Sequence, residues 1–326
     1  MGSTRGKTVG GARLRTAAAF MSVCALGGVV ACTPDPDPPA SGELSVLSYN
    51  VAGLPQEIST VNPQEHIPLI SPLLNDYDLV MTQEDFDWWT PLLDSLDFVH
   101  YHERLRAEAT HEYRSARHPG PEAVGLDLAT RPELNVGDGL GFLSRSPFTG
   151  ETRVPWAGCF GGFDTNDGGA ADCLAMKGFA VVELTLADGV TVHAYTLHAE
   201  AGSTPQDQQL QVDDFEQLAD YIEAHSAGRP IILAGDTNLH TDPGSVDATI
   251  WQGFLDRTGL VDACTAAIGC TQPSAIDKLA TRSTDGVTLT PTSHAFPRER
   301  FRDAEGVDLS DHPPLVVDIA WTTAED

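Results

Sequence analysis

Five stretches of this chain end in polar residues that their apolar pattern does not require. Asn50 closes "LSVLSYN", Glu84 follows "LVMTQ", and His198 closes "VTVHAYTLH". Asp236 and Asn238 stand in "ILAGDTN", and Asp311 and His312 precede "PPLVVDI". Singly each is ordinary: Gly-Asp-Thr-Asn is common turn composition, and Asn50 ahead of Gly53 suits a turn. Together they offer carboxylates, amides and imidazoles, a set suited to a hard divalent cation and an anionic substrate. Magnesium takes a few carboxylate oxygens and keeps its own waters, so it fits this set, with manganese or calcium as substitutes. The two histidines are far apart and lack an HExxH arrangement, which argues against zinc. Packing gives no reason for an acid and an imidazole at the mouth of the Leu315–Ile319 run. The two prolines after His312 fix the path of the chain as it leaves that residue.

Such residues need strands to carry them. "ELSVLSYN", "YDLVMTQED", "GLGFLSRS", "GFAVVELTL", "VTVHAYTLH", "RPIILAGD" and "HPPLVVDI" read as strands bounded by turn formers. "PQEHIPLISPLLND" and "TPLLDSLD" read as weak helices, the first interrupted by Pro68 and Pro72. The strongest helix begins at Pro205, sets Phe215, Leu218, Ala219 and Ile222 on one face, and stops at Gly228. Without a regular βα alternation, the pattern predicts an α/β fold of packed mixed sheets with helices outside. C-terminal strand ends are where α/β folds present ligand-binding groups.

"LSYNVAGLP", "TQED", "TLHAE", "AGDTN", "IDKLATRS" and "LSDHPPLVV" occur in the order that resembles the endonuclease/exonuclease/phosphatase superfamily. That superfamily includes deoxyribonuclease I-like nucleases, inositol polyphosphate phosphatases and neutral sphingomyelinases. The resemblance implies a four-layer sandwich, two mixed β-sheets flanked by helices, and a metal-dependent phosphoric ester hydrolase. It implies Glu84, Asn50 and Asp311 on the metal side, with Asn50, His198 and Asn238 toward the phosphate. Asp236 and Asn238 would orient the attacking water, His312 would be the general base, and Asp277 would orient it. An acid supporting His198 is expected in pancreatic-type deoxyribonucleases; Glu200 is two residues beyond it on the chain. Asp138 stands where relatives often carry an amide.

The 326 residues divide, on this reading, into a signal segment over 1–31, a tether over 32–42, a catalytic domain over 43–321 and a short tail over 322–326. The first segment carries Arg5, Lys7, Arg13 and Arg15 but no acid, then an apolar run that closes on Val-Val-Ala-Cys32. This resembles a bacterial lipobox, so Cys32 is expected to be acylated and to anchor the protein to the cell membrane outside the cytoplasm, with secretion as the alternative. The Pro/Asp-rich "TPDPDPPASG" is a leash without core-forming residues. The remaining cysteines suggest Cys159–Cys173 and Cys264–Cys270 disulfides by nearest-neighbour pairing, among three connectivities. A zinc site is disfavoured because no CxxC pair occurs.

Net charge is −28, which repels nucleic acid at long range unless cations intervene. The partner expected is a phosphate ester, with a phospholipid headgroup ahead of nucleic acid or a small phosphomonoester. A binding module without catalysis is the alternative of another class, and no protein partner is predicted. Two cationic islands, residues 100–118 and 296–302, either rim the substrate or pair internally with acids. Trp88 and Trp89 either touch lipid or join the core.

Overall fold

The computed structural model describes residues 39–56, 59–87, 101–132, 136–162, 169–267 and 269–324. Cys32, most of the tether, the expected helix in "TPLLDSLD" and the Trp88–Trp89 pair lie outside these residues.

Two six-stranded sheets pack face to face. The first contains β1 (Ser41–Asn50), β2 (Leu79–Gln83), β3 (Tyr113–Arg114), β4 (Gly141–Ser144), β11 (Val287–Pro291) and β12 (Leu315–Thr323), in the order β11-β12-β1-β2-β4-β3. The second contains β5 (Phe148–Pro155), β6 (Gly178–Ala187), β7 (Val190–His198), β8 (Ile231–Asp236), β9 (Val261–Asp262) and β10 (Asp277–Arg282), in the order β5-β6-β7-β8-β10-β9. Only β1–β2 and β7–β8 pair in parallel; all other neighbours are antiparallel. Helices α1 (Pro63–Leu73) and α2 (His102–Arg106) cover the outside of the first sheet. Helices α3 (Pro205–His225) and α4 (Val246–Thr258) cover the outside of the second, and a short α5 (Ala263–Ala266) follows β9. This is the four-layer sandwich expected.

The period of two along each strand explains where the core and the site meet. On β1, Leu44 and Val46 face the second sheet, while Leu47 and Tyr49 face the helices. On β7 and β8, Val192, Ala194, Ile232 and Ala234 face inward and Tyr195, Leu197, Ile231 and Leu233 outward. Continuing the inner rows toward the strand ends gives Ser48 then Asn50, Thr196 then His198, and Asp236. The inner face thus passes from an apolar floor, through hydroxyls and an amide, to charged groups. Gln83 ties the middle layer together, donating to Thr196 Oγ1 at 3.0 Å and Ser48 Oγ at 3.4 Å. Buried polar groups need such partners to avoid a desolvation cost of about 1–3 kcal/mol each.

The elements depart from expectation in three ways. Pro68 and Pro72 lie inside α1 rather than interrupting it. Helices α2, α4 and α5 and strands β3, β5 and β9–β11 have no counterpart in the strand and helix reading, because short, polar-rich segments such as "DKLATR" show little periodicity of their own. The first strand also begins at Ser41, two residues inside the stretch read as tether, where Thr323 N donates to Ala40 O at 2.8 Å. Cys159–Cys173 and Cys264–Cys270 are the disulfides formed, as nearest-neighbour pairing predicts.

Candidate active site at the strand ends

Sheet register gathers the polar residues at one end of the sandwich. His198 and Asp236 are partners across the parallel β7–β8 pair, and Asp277, the first residue of antiparallel β10, is partnered with Asp236. Across the gap, Asn50 is partnered with Gln83, just before Glu84. His312 arrives from the segment ahead of β12, which pairs antiparallel with β1. A shared hydrogen bond fixes that approach: Ser310 Oγ donates to Asn50 O at 2.7 Å and accepts from His312 N at 3.1 Å.

Asp236 Oδ2 is the hub. Asn50 Nδ2 donates to it at 3.0 Å and also to Glu84 Oε1 at 3.0 Å, so one amide links the two sheets. His198 Nε2 stands 3.4 Å and His312 Nε2 3.6 Å from the same Asp236 oxygen. His312 Nδ1 bonds to Asp277 Oδ2 at 2.9 Å. The backbone is bent to allow this. Asp236 Oδ1 accepts from Asn238 N at 3.0 Å, and Asn50 Oδ1 accepts from Ala52 N at 3.0 Å. In each case the residue two positions on is left-handed, at φ +50 for Asn238 and +49 for Ala52.

Burial and neighbouring charge set each group apart. Burial alone pulls the His312 imidazole down, but the Asp277 and Asp236 carboxylates outweigh it and push it up to about 10. Burial and the nearby Lys177 ammonium hold His198 well below the usual range, so it is neutral. Two carboxylates face its Nε2, at 3.4 Å for Asp236 and 4.0 Å for Glu84, which puts its proton on that nitrogen. Burial works to raise Asp236, yet His312, His198 and Lys177 hold it below its ordinary value. Glu84 is raised by burial against the Asn50 hydrogen bond. A carboxylate that is costly to ionise, next to an amide and open to solvent over 15% of its side chain, fits a hard cation that brings charge and retains water.

The structure brings together Asn50, Glu84, His198, Asp236, Asn238, Asp277 and His312. Asn238 uses its amide nitrogen on Ala199 O at 3.0 Å, bracing the end of β7. Asp311 departs from the metal-side expectation: its carboxylate is exposed and accepts from Thr60 Oγ1 at 2.8 Å, outside this hydrogen-bonded cluster. The acid beside His198 is Asp236. Glu200 instead accepts from Phe160 N at 2.7 Å, and burial raises its carboxyl to about 9. Asp138 is buried on Arg153 Nη1 at 2.6 Å.

Lys177 is the residue that sequence reasoning missed. Its ammonium is buried, pairs with Asp172 and donates to Ala199 O at 3.3 Å. A lone lysine directly before the apolar β6 run was the available signal. Arginines of the two cationic islands meet aspartates that lie outside the islands. Arg106 meets Asp85 at 2.5 Å and Arg117 meets Asp87 at 2.7 Å. Arg302 meets Asp308 at 2.7 Å, Arg298 meets Asp308 at 3.3 Å, and Arg300 pairs with Asp76.

Residues 47–312 match the endonuclease/exonuclease/phosphatase family. A sphingomyelinase of Mycobacterium bovis is 31% identical over 292 residues, covering 85% of this chain but 52% of its own length, so the chain spans about half of that relative. Sphingomyelinase C from Streptomyces griseocarneus superposes with a TM-score of 0.56 at 20% identity, over 85% of this chain and 99% of that one. A double mutant of beta toxin from Staphylococcus aureus, solved with bound magnesium ions, gives 0.57 at 14% identity over 85% and 99%. At these identities the two structures bear on the fold alone.

Proposed function

Since the chain belongs to the endonuclease/exonuclease/phosphatase family, we propose that it is a divalent-metal-dependent phosphodiesterase that cleaves a phospholipid headgroup. The observation that carries the hydrolytic reading is the Asp277–His312 pair, whose free Nε2 faces Asp236 across 3.6 Å. Asp277 keeps the proton on His312 Nδ1, so that Nε2 takes the proton of the attacking water. Asp236 orients that water, and Asn238 holds the turn that presents Asp236. His198 donates its Nε2–H to a phosphoryl oxygen, and the buried Lys177 charge keeps it neutral and able to do so. A magnesium ion held through Glu84, with Asn50 beside it, would supply positive charge against the phosphoryl oxygens. His312 carries its proton through neutral pH while the surrounding carboxylates are bare. Positive charge engaged by Glu84 would lower it toward the range where it accepts, because that carboxylate is among those that raise it.

Two observations support the choice of substrate. The relative at 31% identity is a sphingomyelinase. A zwitterionic headgroup also carries its own cation, so a protein with a net charge of −28 repels it less than it repels polyanionic DNA. The lipobox-like ending at Cys32 supports a protein anchored outside the cytoplasm by an acylated cysteine. Cys32→Ala should then shift the chain from the membrane fraction to the soluble one.

The deciding experiment incubates the full chain, wild type beside His312→Ala, with sphingomyelin vesicles, duplex DNA or small phosphomonoesters, in Mg²⁺ or chelator. Headgroup release from vesicles should be lost with chelator and fall about 10²–10⁴-fold in the variant. Faster cleavage of DNA or of a monoester would replace the lipid reading. No metal-dependent turnover on any of the three would sink the phosphodiesterase assignment in favour of a binding module.

A further inference from the structure

Directly behind Glu84 lies a pair of buried charges that the chemistry above does not use. Gln83 faces the inner side of its sheet, bonded to Thr196 and Ser48, so an extended residue 84 would point outward by the alternation of a strand. Glu84 points inward because its backbone is left-handed, φ +52, a conformation that is strained for any residue with a Cβ. Two backbone bonds hold that turn: Gly53 N donates to Glu84 O at 3.1 Å, and Asp85 N donates to Gly139 O at 2.9 Å.

The Asp85 side chain then anchors the turn from below. It is 3% exposed and receives Arg106 Nη1 at 2.5 Å and Thr82 Oγ1 at 3.3 Å, with His102 Nδ1 at 3.5 Å. Arg106 is itself fixed, its Nη1 also donating to His102 O at 3.0 Å. The surroundings leave no room for these groups to drift. A Cβ on Gly141 would meet Arg106 Nη2 and Thr82 Oγ1 at 2.5 Å, and one on Gly139 would meet Glu84 Cα at 2.9 Å. Buried ion pairs seldom stabilise a fold more than well-packed apolar residues would, so stability alone is a weak account of this one. The cationic island of residues 100–118, which from sequence could have met the substrate, here contributes Arg106 and His102 to the support of Glu84.

We infer that Asp85 and Arg106 are positioning residues: their pairing holds Glu84 in its left-handed turn and thereby sets the site's affinity for a divalent cation. The inference rests on the reading of Glu84 as a metal ligand. The test uses the full chain as wild type, Asp85→Asn, Arg106→Lys and the double variant Asp85→Asn/Arg106→Gln, which leaves no buried charge alone if a single change prevents folding. Glu84→Gln serves as the reference for lost binding.

Two readouts are needed. Mg²⁺ affinity by titration calorimetry should weaken about 10–100-fold in Asp85→Asn and in the double variant, the range seen when groups supporting a metal ligand are removed. Amide exchange in chelator should accelerate at Gly53 and residue 85, while Val80 and Met81 in β2 remain protected. Variants that melt at lower temperature but keep wild-type Mg²⁺ affinity and wild-type exchange at those two amides would overturn the inference, leaving the pair a packing feature. If the wild type binds no divalent cation, the metal reading of Glu84 falls, and with it the claimed effect on affinity. Exchange at Gly53 and residue 85 then decides the positioning claim by itself.

Discussion

At 2.9 Å from Asp277 and 3.6 Å from Asp236, the His312 imidazole binds its proton far more tightly than a free one. Its value rises from an ordinary 6.5 to about 10, so its contribution to stability has a defined sign. Below pH 6.5 both the folded and the unfolded chain are protonated there, and the full contribution, on the order of a few kcal/mol, is present. As pH rises toward 10, the unfolded chain loses its proton first and the contribution disappears. The metal-free protein should therefore lose thermal stability from pH 6.5 to 10, and Asp277→Asn should flatten that slope. Melting curves in chelator across this window check it; parallel profiles for the two proteins would mean that Asp277 does not hold the proton. The residue types at this site were readable from the chain because they interrupt apolar runs without a packing reason. Lys177 was not, since a single lysine before a strand looks like any solvated charge until the fold buries it.

Asn50 and Asp236 use the same local device in different sheets. Each ends a strand, accepts the N–H of the residue two positions on, and leaves that residue left-handed. The chain can thus turn sharply at the sheet edge while the side chain stays on the inner face. Gly53 completes the arrangement on one side: a Cβ there would fall 2.2 Å from Glu84 O, far inside contact distance. Gly53→Ala should displace Glu84 and reduce turnover by an order of magnitude or more, as small misplacements at a reacting site do. Rate measurements beside a melting curve test this, since a loss of stability with unchanged kcat/KM would contradict it. Helix α3 provides the contrast. Thr204 caps it by accepting from Asp207 N at 3.3 Å, and Thr204 N donates in turn to Asp207 Oδ2 at 2.8 Å. This helix covers the outer face of the second sheet, so Thr204→Ala should cost about 1 kcal/mol in denaturant titration and leave turnover unchanged.

Across the whole molecule, the acidic charge and the disulfides act on stability in separable ways. A net charge of −28 means self-repulsion, which salt screens. In chelator, the unfolding temperature should rise from low to physiological ionic strength, and a falling midpoint would show that attractive surface pairs dominate instead. The Cys159–Cys173 bond closes a segment that is tied to the sandwich by Phe160 N on Glu200 and by Asp172 on Lys177. Replacing both cysteines with serine should cost roughly 2–4 kcal/mol, measured by chemical denaturation. An unchanged midpoint would mean that these polar ties alone keep the segment in place.

The order of polar residues along the chain, the strands that carry them and the paired spacing of the cysteines were determined by the sequence itself. Each is a local property: side chains alternate along a strand, and turn residues bound it. Which acid stands beside His198 was decided only by the tertiary structure, whereas the pairing of Asp277 with His312 was implied by the family resemblance. Asp236 and His198 are 38 positions apart and Asp277 and His312 are 35 apart, so only sheet register and the packing of two sheets bring them together. The same holds for the arginines of the first island. Sequence displays their charge, but only the fold buries Arg106 against Asp85 and sets Arg117 on Asp87, because a guanidinium removed from water needs a compensating partner.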